Sequence, residues 1–241
     1  MARTRGAVPT LLSTLALVVA AGPAVAARGG PVIPPVNPEP ARFTTAIDNP
    51  YLPFEPGTRM VYRERSDDGH GREVVTVTRR TKTVQGVETV VVRDRAFIAG
   101  ELAEDTRDWY AQDRRGNVWY FGENTKEYED GKVVSTEGSW RAGRDGARAG
   151  IVMPARPKVG DIYYQEYAPG EALDQATVLR LDAERTVPYG SFDELLVTKD
   201  FTELEPDVVE HKFYARGVGV VLEKLVRGGR ERVALVKVTH V

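Results

Sequence analysis

Cysteine is absent from the 241 residues. That excludes disulfides, thiolate metal sites, cysteine nucleophiles and lipid attachment at an N-terminal cysteine. A surplus of one charge is also missing: 33 Lys and Arg stand against 35 Asp and Glu, a formal net charge of −2. Loss of Arg3 and Arg5 with the leader described below brings it to −4. An electrostatic nucleic-acid binder needs a basic stripe or a high pI, so no nucleic-acid partner is expected. Histidine is scarce, with His70, His211 and His240 too far apart for an H-x-x-x-H zinc pair, and no metal site is expected. No P-loop and no G-x-S-x-G elbow occurs, which removes the common nucleotide and α/β-hydrolase signatures and leaves no cofactor implied.

What is present begins with a leader. Arg3 and Arg5 precede an uncharged apolar run, Leu11 to Ala21, which ends at Gly22-Pro23 and the small-residue site Ala24-Val25-Ala26. Residues 1–26 therefore read as a secretory signal peptide, and the apolar run is about half the roughly 20 residues that a spanning helix needs. After its removal no membrane span is expected. The compartment implied is the cell envelope, periplasm or medium of a bacterium. Residues 27–42 carry Pro31, Pro34, Pro35, Pro38 and Pro40 and read as an extended, unstructured tether. Residues 43–241 suit a single domain.

In that domain the apolar period is two rather than 3.6. Val74-Val75-Thr76-Val77-Thr78 and Thr89-Val90-Val91-Val92 are β-branched runs, and Gln85-Gly86, Asp130-Gly131 and Gly228-Gly229 punctuate the chain as hairpin turns. About a dozen short strands follow, with no convincing long helix. The fold class is all-β: one antiparallel half-barrel, barrel or sandwich. Residues 143–157 form the longest stretch without strand signals and read as an irregular loop or flap.

One hairpin can be read in register. Asp113-Arg114-Arg115-Gly116-Asn117 has the chemistry of a type I turn with a G1 bulge. It aligns Ala111 with Trp119, Trp109 with Phe121 and Arg107 with Glu123. One face then carries Trp109, Trp119 and Phe121, and the other Tyr110 and Tyr120. Aromatics on both faces mean that neither is simply washed by water. One side is core, and the other is a second packing surface or a ligand cavity.

Three stretches resemble a group of uncharacterised bacterial exported proteins: Asn49-Pro50-Tyr51-Leu52-Pro53-Phe54-Glu55-Pro56-Gly57-Thr58; Asp108-Trp109-Tyr110-Ala111-Gln112-Asp113 with Gly116-Asn117-Val118-Trp119-Tyr120-Phe121-Gly122-Glu123; and Phe213-Tyr214-Ala215-Arg216-Gly217-Val218-Gly219-Val220-Val221. The turn punctuation is also similar to the lipoprotein-carrier (LolA-like) half-barrels, in which a curved sheet wraps an apolar cavity for acyl chains. That resemblance implies a ligand cavity, although the helices that plug such half-barrels are not evident here.

Chemistry-bearing candidates are few. His211 lies on a strand between Glu210 and Lys212, and on a cavity wall it would serve as a base or ligand contact. Glu104, Asp105, Asp108 and Asp113 form the densest carboxylate run, with Glu104 and Asp108 on one face and Asp105 with Arg107 on the other. Paired carboxylates suit acid–base work on a glycoside. Asp200, Glu203, Glu205 and Asp207 around Pro206 read as a loop whose carboxylates face water. The leading expectation is a non-enzymatic β protein binding a small amphipathic molecule, with Trp109, Tyr110, Trp119, Tyr120, Phe121 and His211 as ligand-contact candidates. The alternative is an envelope or extracellular hydrolase or lyase on carbohydrate or ester that uses Asp108, Glu104 and His211. A third is a structural or protein-interaction module of the envelope.

Overall fold

The computed structural model describes residues 30–240 except residue 68, so the expected signal peptide lies outside the described residues. Period-two patterning and closely spaced turns yield sixteen strands and no α-helix among them. A 3₁₀ turn (Pro40–Arg42) leads into β1 (Phe43–Thr44). A long meander follows: β2 (Thr58–Ser66), β3 (Gly69–Val84), β4 (Val87–Ile98), β5 (Glu101–Asp113) and β6 (Val118–Asn124). Two short strands, β7 (Glu127–Glu129) and β8 (Lys132–Ser135), hang from β5. Then come β9 (Arg148–Met153), β10 (Ile162–Tyr164), β11 (Glu166–Tyr167), β12 (Asp174–Val187), β13 (Gly190–Thr202), β14 (Val209–Ala215), β15 (Gly219–Arg227) and β16 (Arg232–His240).

All the pairings between strands are antiparallel, in the order β10-β12-β13-β14-β15-β16-β2-β3-β4-β5-β6-β9-β11. The two ends of this order are consecutive in the chain. Ile162–Tyr164 pairs with β12, while Glu166–Tyr167 pairs with β9, so one short segment holds both edges of the sheet. The result is one nearly closed barrel, in which unpaired strand edges are largely abolished. This selects the barrel from the three architectures the sequence allows.

The stretch 143–157 is not irregular throughout: Arg148–Met153 is β9, paired with β6 and β11. The β signal there is diluted by small residues, and the small residues have a steric reason. A Cβ on Gly150 would lie 2.7 Å from the Tyr164 carbonyl oxygen and press on the Gln165 backbone, so the seam needs glycine at that point. Within 27–42, the described part lies along the barrel. Val32 bridges to Tyr163, the Arg148 guanidinium donates to the Pro34 carbonyl at 2.9 Å, and the Gln85 amide donates to the Val36 carbonyl at 3.1 Å.

One mouth of the barrel is plugged by residues 47–54. Ile47, Tyr51, Leu52 and Phe54 are buried in the main core with Met60, Tyr62, Leu196, Phe213, Tyr214 and Leu235. Asn49 fixes the plug. Its Nδ2 donates to the Gly116 and Pro154 carbonyls at 2.8 and 3.2 Å, and its Oδ1 accepts the Tyr51 amide at 2.9 Å. The Gly217 amide donates to the Pro50 carbonyl at 2.7 Å, and the Arg216 guanidinium lies 4.4 Å from the Tyr51 ring centre. The three stretches that carried the resemblance thus meet at this end of the barrel.

Candidate functional site

The Asp113–Asn117 turn forms as its chemistry dictates. The Asp113 amide donates to the Asn117 carbonyl at 2.9 Å, the Asp113 carboxylate accepts the Arg115 and Asn117 amides, and Gly116 has φ 93°. Ala111 pairs with Trp119 and Tyr110 with Tyr120 as expected. The register then slips. Asp108, not Arg107, lies opposite Glu123, and Arg107 lies opposite Asn124. The cause is a bulge at Gly122, φ 119°, where the Trp140–Arg141 backbone passes too close for any side chain. The slip turns Glu123 toward Tyr120 rather than toward Arg107. Arg107 instead joins Arg93 on Asp105, with Arg93 Nε 2.7 Å from Asp105 Oδ1.

Behind the plug lies a cavity of about 220 Å³. Leu52, Phe54, Met60, Val75, Val92 and Val152 make its apolar wall, and Glu73, Asp94, Asp108, Glu166, Glu223 and Lys212 its polar wall. Tyr110 links the two. Its ring is 4.9 Å from Phe54 and stacks on Tyr120 at 4.6 Å. A second space of about 270 Å³ shares Gln165, Glu166 and Lys212 with the first. It adds Asp174, Asp200, Glu205 and Glu210 and lies at the opposite, open mouth. The barrel lumen therefore grades from apolar at the plug to acidic at the mouth.

The carboxyls along this lumen are held in unusual states. The Tyr120 hydroxyl is 2.7 Å from Asp108 Oδ1 and 2.8 Å from Glu123 Oε2. A phenol has one proton to donate, so in this geometry one of the two carboxyls must itself be protonated and donate to the phenol oxygen. Burial, with Glu166 nearby, pushes Glu123 up to about 8, and burial with Glu123 opposite pushes Asp108 well above the usual carboxylate range. Glu166 accepts the Trp140 indole N–H at 2.6 Å and is also raised to about 8, by burial and then Asp174. Glu73 and Asp94 share a hydrogen bond in which burial raises both carboxyls, Asp94 to about 6. Lys212 lies 3.4 Å from both Glu210 and Glu223. Burial opposes its charge, but Glu223, Glu210 and Asp200 outweigh burial and hold it protonated.

The expected site residues divide between the two faces of the wall. Tyr110, Tyr120 and Asp108 line the lumen. Glu104 accepts a hydrogen bond from Thr106 at 2.8 Å and lies close enough to Asp94 and Asp108 to raise both. Trp109, Trp119 and Phe121 are on the outer face, where a second packing layer covers them. Phe43 meets Trp119 and Phe121 edge-on, and the Lys82 ammonium sits 3.6 Å from the Trp109 ring centre. The structure thus brings Tyr110 and Tyr120 to this cavity and places Trp109, Trp119 and Phe121 on the other face of the wall. Alternation on β14 puts Lys212 into the lumen and His211 outside it, beside Lys199 and Lys224. There burial and these lysines, with Arg185, lower its pKa. Asp108 and His211 are separated by the wall. Asp200, expected to face water, is 7% exposed and faces the lumen.

Sequence reasoning missed Glu73, Asp94, Glu166, Asp174, Glu210 and Lys212. Their alternation with apolar neighbours was visible, but not the side of the wall they occupy.

No protein-family model matches the chain, and no curated protein matches it significantly. Two solved structures are similar. One, from Bacteroides fragilis NCTC 9343, is described as a "putative exported protein with YmcC-like fold". It is 13% identical over 78% of this chain and 98% of that one, with a TM-score of 0.46. The other is a "putative lipoprotein" from Parabacteroides distasonis ATCC 8503, 11% identical over the same shares, with a TM-score of 0.43.

Proposed function

We propose that this is an exported binding protein that holds a small amphipathic molecule in the lumen of its barrel and performs no reaction on it. The observation that carries this reading is the polarity gradient of the lumen: an apolar pole at Leu52, Phe54 and Met60, and a polar pole at Glu166, Asp200 and Lys212. Each of the two spaces is smaller than the roughly 300–1,000 Å³ of ordinary small-molecule sites, and together they enter that range. This favours a short-chained ligand over a long acyl chain. The leader read from residues 1–26 supports export to the envelope or medium.

Native mass spectrometry of the secreted chain, followed by denaturing extraction, tests the reading. An adduct lost on denaturation supports it and identifies the ligand class. A clean apo mass, together with no binding of short amphipathic probes, overturns it.

The Asp108–Tyr120–Glu123 arrangement favours a second reading, an acid–base hydrolase. Burial keeps one carboxyl protonated, as a general acid requires. Turnover of a glycoside or ester panel that is lost in Asp108→Asn would move the assignment to this reading.

A further inference from the structure

At the open mouth, Asp200 and Glu210 lie directly opposite each other on β13 and β14. Glu166, Asp174, Glu205 and Glu231 complete the acidic lining. Among the residues lining this space Lys212 is the one cation, and it is already engaged by Glu210 and Glu223, 3.4 Å from each. Like charges directly across a strand pair are destabilising, and burying them adds a desolvation cost. The lining thus carries several acids and no second cation to balance them.

A second observation points to an absent partner. Asp200 is 7% exposed. Its Oδ2 accepts the Gln165 side-chain amide at 3.2 Å, while its Oδ1 is buried and meets no hydrogen-bond donor. A buried carboxylate oxygen left unsatisfied costs free energy that a bound donor would recover. Thr198 lies beside Asp200 and helps to lower its pKa, but its buried hydroxyl makes no hydrogen bond to Oδ1, and Lys212 is held by Glu210 and Glu223, so a bound molecule can supply the donor.

We infer that the molecule bound in the lumen carries a cationic head, an organic ammonium or guanidinium, seated among Asp174, Asp200 and Glu210. This rests on the amphipathic-ligand reading and names the head group that reading leaves open. An organic cation fits better than a metal ion. Among the described residues no group of three acidic or histidine side chains is placed to hold a metal, and the carboxyls are spread along the wall instead of converging on a point. An ammonium brings three donors and a guanidinium five, enough to serve several separated carboxylates at once. The apolar part of the same molecule then reaches past Gln165 and Glu166 toward Phe54 and Met60.

The test uses three probes with one octyl chain and different heads: octylammonium, octanoate and octyl glucoside. Binding to the secreted chain is measured by calorimetry at pH 7. Octylammonium is expected to bind at least tenfold more tightly than the other two. In Asp200→Asn/Glu210→Gln it loses that advantage while octyl glucoside is unaffected. Circular dichroism confirms that the variant is folded. Equal binding of all three probes overturns the cation assignment and leaves the amphipathic reading standing. Preference for octanoate also overturns it and makes Lys212 the anchor. Failure of all three overturns the amphipathic reading itself.

Discussion

Asp200 and Glu210 face each other across the β13–β14 pair with both carboxyls turned into the barrel, in a register that brings two buried acids together. Burial raises both, Glu210 to about 8, although Lys212 draws each of them down.

This predicts an inverted pH profile. Glu123, Glu166 and Glu210 have folded-state values of about 8, and Asp94 and Asp174 of about 6. A carboxyl whose pKa is raised on folding binds more protons when folded, so stability falls as pH rises from the unfolded value toward the folded one. Asp105 opposes the trend, because Arg93 and Arg107 lower it despite burial and its contribution is lost only in acid. Thermal unfolding of the ligand-free protein is expected to peak near pH 5 and to drop by about 5 °C or more by pH 8.5. A flat or rising curve over that window would show that these acids are not buried as described.

Replacing one of these acids with its neutral isostere is expected to stabilise the protein, and only at high pH. Glu123→Gln keeps the volume and can still hydrogen-bond Tyr120. At pH 9 it removes a buried charge and gains on the order of 1 kcal/mol, whereas at pH 5 the wild-type carboxyl is already neutral and no gain follows. Urea titrations at the two pH values measure the difference.

Gly150→Ala is expected to open the seam. The added methyl collides with the Tyr164 and Gln165 backbone. Backbone cannot move aside as a flexible side chain can, so a loss of about 2–3 kcal/mol is expected. Hydrogen exchange is expected to accelerate first at residues 162–167.

Asn49→Ala is expected to cost about 2–3 kcal/mol and to loosen the plug. It leaves the Gly116 and Pro154 carbonyls and the Tyr51 amide without their partner. Faster exchange of the Tyr51 and Leu52 amides, with the strands less affected, would separate this local effect from general destabilisation.

Much of the fold was legible because its signals are local. Alternation marked most strands, and Asp113 with Gly116 specified a turn that forms as read. Two features escaped. The β9 strand is built from Ala149, Gly150 and other residues chosen for close packing at the seam rather than for β propensity. The slip at Gly122 comes from contact with Trp140, which no local pattern encodes. The site was harder. Alternation says that Glu210 and Lys212 share a face, but not which face is inside. The usual rule of apolar inward does not separate the two faces here, because both bury apolar side chains. Trp109 and Phe121 are buried on the outer face under Phe43 and the 140–149 segment, while the lumen holds the carboxyls. Only the curling of the whole wall into a barrel decides the matter.

The pairing of β16 with β2 has a consequence in time. Arg232–His240 is the strand that lies beside Thr58–Ser66, so the first long strand finds its partner some 170 residues later in the chain. Until then Tyr62 and Met60 have β3 on one side and nothing on the other. A chain emerging from its N-terminus can build the β2–β6 meander as it goes, but it cannot seal the wall. Closure waits on a contact of very high sequence separation, which makes the last step slow and leaves the intermediate with an open, sticky edge. A chain cut short before Arg232 would be held in that state permanently, and a circular permutant joining the ends of β16 and β2 would convert the slowest contact into a hairpin.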